Sequence, residues 1–435
     1  MQRVAALLVS LLGVAALGAA PLPAQRQVLP NGAVLLVSER PAIPIVVVRV
    51  SLPAGSAFDP PEAPGLANLT AEMLTRGTAQ RSGSVLDEAI EFVGGSLEAQ
   101  AGRDGVTVSL SVLNKDLGLG LDLLFEVLTQ PAFSETELRR KAKEIQAAIR
   151  RSEESPDGVA ARALAELLYP GHPYGHPVAG TVESVERLTR DQVVAFYRRH
   201  YRPDGAILVA AGDVKVDEIR KEIGRRLAPW RAAGDAPPRP PQTPPSPPVQ
   251  SRTIKRELTQ ATVFLGRQAV GHGHPDYYPL VVASYILGGG SASRLYSSIR
   301  EEQGLAYDVS SHLSVGRYGA AFVVSLRTRT DGIAEAMRLV REQMTKAGSE
   351  LVSGTELAKA KAYLIGSFPL RIDTTSKMAG LLQTVEDFGL GLDYPVRYRQ
   401  AIETVTAADI HRVARQYLDP SGFSSATVGN LPVIQ

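Results

Sequence analysis

GGGSASRLYSSIREEQGLAY, residues Gly288–Tyr307, holds a helix end, a corner, a second helix and the first residue of a strand. Its three glycines free the backbone to turn after the hydrophobic run that precedes them. Ser291 stands where a hydroxyl caps the first turn of a new helix. Leu295 and Ile299, four apart, define that helix's buried side. Gly304 takes the place of a left-handed stop, with Leu305 folding back on Ile299. Arg300 then falls in the last helical turn and Tyr307 opens the strand. A fixed cation and a phenol at one corner are both donors, suited to a peptide carbonyl or to the oxyanion it becomes under attack. On spacing alone, a half-buried strand tyrosine and a surface arginine are the default reading.

Outward from this corner, the chain repeats itself. Thr189, Val193, Pro203 and Gly212 recur as Thr406, Ile410, Pro420 and Gly429, all at an offset of 217, and Thr136-Glu137-Leu138 recurs as Thr355-Glu356-Leu357 at 219. The repeat predicts a duplicated α+β architecture, each half a largely antiparallel sheet with helices packed on it. Within the first half, Gln27–Leu52 predicts a hairpin with an Asn31-Gly32 turn. Leu66, Leu69 and Met73 mark the buried stripe of a helix over 65–76. Leu119, Leu123, Leu124 and Val127 do the same over 116–129, and Ser134 with Glu137 predicts a capping box for the helix after it. Strands are expected at 96–112, folded back near Gly102–Gly105, and at 205–211. Eight prolines in Pro237–Pro248 predict a stiff polyproline spacer of roughly 37 Å between the halves.

The chain has 435 residues, 44% hydrophobic and 21% charged, with a formal charge of +2. That is enough for two cores and offers no basic field for nucleic acid. Arg3, the apolar run Val4–Leu17 and the small residues and prolines to Ala24 have the form of a secretory signal peptide, with cleavage expected after Ala24. A retained anchor is the alternative. There is no cysteine, hence no disulfide, and a periplasmic or secreted chain without membrane attachment is expected. The expected organisation is 1–24 signal peptide, 25–230 N-terminal domain, 231–250 linker and 251–435 C-terminal domain.

GLANLTAEMLTRGT, residues 65–78, resembles the motif helix of the insulinase, pitrilysin and mitochondrial processing peptidase family. That helix carries His-x-x-Glu-His, two zinc-binding histidines one turn apart with a base between them. The likeness runs through Gly65, Ala67, Met73, Gly77 and Thr78 and extends along nearly the whole mature chain, including HPYGHP. Every chemical position differs. Asn68 and Glu72 replace the histidines, Ala71 replaces the base, and Ala148, in IQAAIRRSEES, stands for the glutamate ligand 76 residues on. One carboxylate and one neutral amide do not hold tetrahedral zinc, so no metal is expected in this chain. His172/His176 and His272/His274 are read as loop histidines rather than ligands.

In that family, a zinc-bearing half or subunit works with a second half that resembles GGGSASRLYSSIREEQGLAY. An arginine and a tyrosine seven apart reach across to the zinc site and hold substrate there. The resemblance implies those roles for Arg300 and Tyr307, with zinc supplied by a homologous partner subunit in a heterodimer acting on peptides. Glu98 stands where active members place an asparagine on the substrate-binding edge strand. Two other readings remain: a structural or peptide-binding scaffold like the core subunits of respiratory complexes, and, with little support, an independent metallopeptidase using other ligands.

Overall fold

The computed structural model describes residues 20–232, 234–235, 239–244 and 246–431. Most of the expected signal peptide and part of the proline run lie outside these. The first half contains strands β1 (Gln25–Val28), β2 (Val34–Glu39), β3 (Ile45–Leu52), β4 (Ser96–Ala101), β5 (Val106–Leu113) and β6 (Ile207–Gly212). Its helices are α1 (Leu66–Met73), α2 (Gly83–Phe92), α3 (Leu117–Thr129), α4 (Glu135–Glu154), α5 (Pro156–Leu168), α6 (Val182–Arg187), α7 (Arg190–His200) and α8 (Val216–Leu227). The second half contains β7 (Ser251–Lys255), β8 (Gln260–Ala269), β9 (Ala306–Val315), β10 (Ala320–Arg329) and β11 (Ser424–Gly429). Its helices are α9 (Tyr277–Gly288), α10 (Ile333–Ser349), α11 (Gly354–Gly366), α12 (Thr375–Asp387), α13 (Tyr394–Thr404) and α14 (Ala407–Tyr417). No helix among the described residues is long and apolar enough to cross a membrane.

The two sheets run β1-β2-β6-β3-β5-β4 and β7-β11-β8-β10-β9. Apart from β1 they have the same order and the same sense. β2 is parallel to β6 as β7 is to β11, and the remaining pairs are antiparallel. The repeated residues hold equivalent places. Thr189 and Thr406 each cap a helix with a reciprocal box, while Gly212 and Gly429 each end the strand that closes its half.

The halves also exchange helices. α5 of the first half packs on β8 and β11 of the second sheet, and α12 of the second half packs on β6 and β3 of the first. Leu164 and Leu168 share a core with Phe264, Ala321 and Val323. Gly266 permits that approach, since a Cβ there would lie 2.8 Å from Leu164 Cδ2. Reciprocally, Val47, Val209 and Ala211 bury against Met378, Ala379 and Leu382, while their alternate neighbours Val46, Val48, Leu208 and Ala210 face the first half's own core. Both faces of β6 are therefore dry, which is why it reads as an unbroken apolar run.

Several local expectations need correction. β2 and β3 do not form a hairpin, because β6 inserts between them; the Asn31-Gly32 turn joins β1 to β2 instead. Leu119 is 37% exposed; α3 turns Gly120 and Leu121 inward in its place, while Leu123, Leu124 and Val127 are buried as expected. Ser134 precedes α4 without a side-chain cap, and Glu137 binds Arg140. Leu22 and Pro23, just ahead of the expected cleavage point after Ala24, make contacts of their own, which leave that expectation untouched. Leu22 is 3% exposed in the second-half core, its amide bonds to the Leu392 carbonyl at 2.8 Å, and the Pro23 carbonyl accepts from Ser38. The described part of the linker is docked as well: the Pro241 carbonyl lies 3.0 Å from Nε2 of His172. His172 is thus a buried structural group and not a solvated loop histidine.

Candidate functional site

Helix α1 begins at a left-handed glycine, Gly65, with φ of 93°. A Cβ there would lie 2.7 Å from the Ala179 carbonyl oxygen, so the position requires glycine. Asp59, buried beneath, accepts from the amides of Gly65 at 2.8 Å and Ala67 at 2.7 Å. It satisfies two donors that the helix start leaves open. Burial pushes its carboxyl up to about 7 despite these bonds. Leu66, Leu69 and Met73 face the core as the periodicity predicts, and Ala71 is fully buried among them. Asn68 and Glu72 point the other way, and Asn68 Nδ2 donates to Glu72 Oε1 at 3.1 Å.

From α4, Lys141 reaches the same spot. Its ammonium lies 3.3 Å from Glu72 Oε2 and 2.7 Å from Glu144 Oε2, and the residue is only 9% exposed. The hollow around these groups measures about 470 Å³ and is lined by Asn68, Glu72, Arg76, Glu98 and Lys141, among others. Ala71 and Ala148 do not line it. Ala148 is exposed on α4, two turns beyond Lys141, about 10 Å along the helix axis. Lys141 escaped the sequence reading although it sits on the apolar stripe of α4, between Leu138 and Ile145. A lysine in such a stripe is the signal for a buried partner.

Zinc does not fit this donor set. Both oxygens of Glu72 are engaged, one by an amide and one by an ammonium, and Arg76 adds a second cation to the wall. A divalent ion would have to displace Lys141 and would find the carboxylates of Glu72 and Glu144 and one amide oxygen, with no imidazole to complete a tetrahedral zinc site. Among the described residues no three His, Asp or Glu side chains are grouped to hold a metal.

β4 forms one wall of the same hollow and is the outer strand of its sheet, paired only with β5. Glu98 and Gln100 point outward into water while Leu97, Ala99 and Ala101 are half-buried. The outer backbone edge of such a strand is free to accept another chain.

At the opposite sheet, the glycine-rich corner is tight: a Cβ on Gly288 would lie 2.4 Å from the Ser311 amide nitrogen. The helix after it differs from expectation. Residues 291–293 turn, Ser291 caps nothing, and the segment Tyr296–Glu301 is a π-helix. Leu295 and Ile299 are buried, as their spacing requires. Gly304 adopts φ of 60° and the Leu305 amide closes on the Ile299 carbonyl at 2.9 Å. Of the two arginines here, Arg294 is locked to Glu356 by paired bonds of 2.7 and 2.8 Å. Arg300 is exposed, its guanidinium 4.9 Å from the centroid of the Tyr296 ring, and it has no ion pair among the described residues. Tyr307, 50% exposed, is the second residue of β9, the outer strand of its sheet. Arg300 and Tyr307 thus flank one corner of the second half, and neither lines the hollow beside Asn68 and Glu72.

Two sheets of matching order, a motif helix beside one free edge and an Arg/Tyr corner beside the other define a duplicated peptidase-like chain. This chain belongs to the insulinase family of peptidases, M16. Residues 34–182 match the family described as Insulinase (Peptidase family M16), and residues 187–364 match Peptidase M16 inactive domain. An uncharacterized zinc protease of Mycobacterium leprae is 29% identical over 413 residues, 93% of this chain and 91% of that protein. One from Bacillus subtilis is 26% identical over 353 residues, 80% and 85% of the two chains. A crystal structure from Pseudomonas fluorescens, described as a peptidase M16 inactive domain, superposes with a TM-score of 0.88 at 24% identity, covering 95% of this chain and 99% of that one. A protease structure from Helicobacter pylori gives 0.88 at 19% identity, with 94% and 100% covered. At these identities the structures share the fold.

Proposed function

We propose that this chain is the non-catalytic, substrate-binding subunit of a heterodimeric zinc metallopeptidase of the bacterial periplasm. A homologous partner supplies zinc, water and base, and the two subunits enclose unfolded peptides that add as strands to a sheet edge. The observation that carries this reading is a pairing of opposites. The motif helix holds the Glu72–Lys141 ion pair where metal ligands belong, while Arg300 and Tyr307 stay exposed beside a free sheet edge. A pure scaffold has no use for that second feature. The signal-like residues at the N-terminus support the periplasmic assignment.

The test is reconstitution with a homologue from the same genome that keeps an intact His-x-x-Glu-His. Size-exclusion chromatography is expected to show a one-to-one complex, and a long unstructured peptide is expected to be cut by the mixture and by neither subunit alone. Failure of the two to associate, or cleavage by the homologue alone at the same rate, would overturn the proposal in favour of a scaffold.

A further inference from the structure

β4 runs into a second hollow, of about 360 Å³, which shares Gln100 and Ala101 with the one beside Glu72. Three arginines line it: Arg49 from β3, Arg103 just past β4 and Arg317 between β9 and β10. Against them stand two acids, Asp104 and Asp387, leaving an excess of one positive charge. Asp104 is already committed. Its carboxylate accepts from the Tyr174 hydroxyl and, at 2.9 Å, from the backbone amide of Arg317. Asp387 lies half-buried at the end of α12.

The guanidinium groups are far less committed. Arg49 gives its Nε to Gln383 Oε1 at 2.8 Å, Arg103 lies 5.5 Å from the Tyr174 ring centroid, and Arg103 and Arg317 are exposed. Among the described residues none of the three forms an ion pair. Three guanidiniums in one polar hollow, none within ion-pair distance of the two carboxylates that share it, leave room and a net positive charge for an anion, and their forked geometry matches a carboxylate. The hollow lies at the C-terminal end of an open strand edge six residues long, roughly 20 Å. A peptide paired along that edge passes Glu98 and Gln100 and ends among the arginines.

We infer that this hollow binds a carboxylate of an extended peptide seated on β4. The inference rests on the peptide-binding reading above and adds a preference to it. The carboxylate has two possible sources, the C-terminus of a peptide running parallel to β4 or an Asp or Glu side chain.

The probe is a set of N-acetylated, fluorescently labelled peptides of about ten residues, long enough to cover a strand. One ends in a free carboxylate, one in an amide with an internal Glu, and one in an amide with Gln at that place. Anisotropy with the full chain is expected to show at least one carboxylate-bearing peptide binding about tenfold more tightly than the Gln amide, the gain of one charged hydrogen-bonded contact. Which of the two gains identifies the source. The Arg103→Ala/Arg317→Ala variant is expected to lose that preference and leave the Gln amide's affinity unchanged, and added salt should shrink the preference in the wild type. Equal binding of all three peptides, or a preference that survives in the variant, overturns the arginine site and leaves peptide binding standing. Absence of binding by every peptide removes both.

Discussion

The ammonium of Lys141 sits 3.3 Å from one carboxylate oxygen of Glu72, and the other oxygen accepts from Asn68 at 3.1 Å. An internal cation thus occupies the ground that a bound ion would need. Removing Lys141 leaves a half-buried carboxylate without its counter-charge. Lys141→Ala is therefore expected to lower stability by about 1–3 kcal/mol, while Lys141→Met with Glu72→Leu should lie near wild type because the whole pair is replaced by packed apolar groups. Urea midpoints at pH 7 decide this; a single variant as stable as wild type would show the pair to be idle.

Lys141 is also expected to oppose metal binding at this helix face. Asn68→His with Glu72→His is expected to gain little zinc binding while Lys141 remains. Adding Lys141→Glu supplies a third ligand and removes the competing charge. Competition against a chromophoric chelator measures both variants, and equal affinity with and without the lysine change would refute the role given to Lys141.

In the reconstituted heterodimer, Tyr307→Phe is expected to reduce turnover about 100- to 1000-fold, the usual loss for a single oxyanion donor. Complex formation and partner zinc should be unchanged. Arg300→Ala should also raise KM, since it removes the planar fork proposed to hold a substrate carbonyl or carboxylate. Wild-type kinetics in both would make the corner ordinary surface.

His200 supplies a pH dependence. Its ring stacks on Phe196 at 4.3 Å and meets Phe58 edge-on at 5.2 Å. Burial, with a smaller contribution from Arg199, lowers its pKa from 6.5 to about 4. The unfolded chain therefore binds the extra proton first. The stability contributed by the neutral ring is complete above pH 6.5 and declines as pH falls toward 4. Denaturation midpoints across this window should fall more steeply for wild type than for His200→Gln; identical slopes would exclude the ring as a source.

The duplication itself was legible because Thr189/Thr406 and Gly212/Gly429 keep their roles as helix caps and strand ends. The helix over 65–76 and its buried stripe Leu66, Leu69 and Met73 were legible for a local reason, the helical period. What escaped was non-local. Nothing near β2 and β3 announces that β6, more than 150 residues later, will separate them. Lys141 was passed over because a helical stripe is judged by its apolar members, and its partner Glu72 is remote in sequence. The π-helical turn before Gly304 also had no local signature, since Leu295 and Ile299 are buried in either geometry. The exchange of α5 and α12 did leave a trace, the unbroken apolar run of β6, whose second face needed a cover from elsewhere.

That exchange decides where this chain can move. Each half roofs the other, so neither can swing away without uncovering a dry sheet face, and a cut in the proline-rich linker would leave the two pieces clasped. If the two-subunit proposal holds, the chamber opens along the seam between the subunits, with this chain moving as a single block.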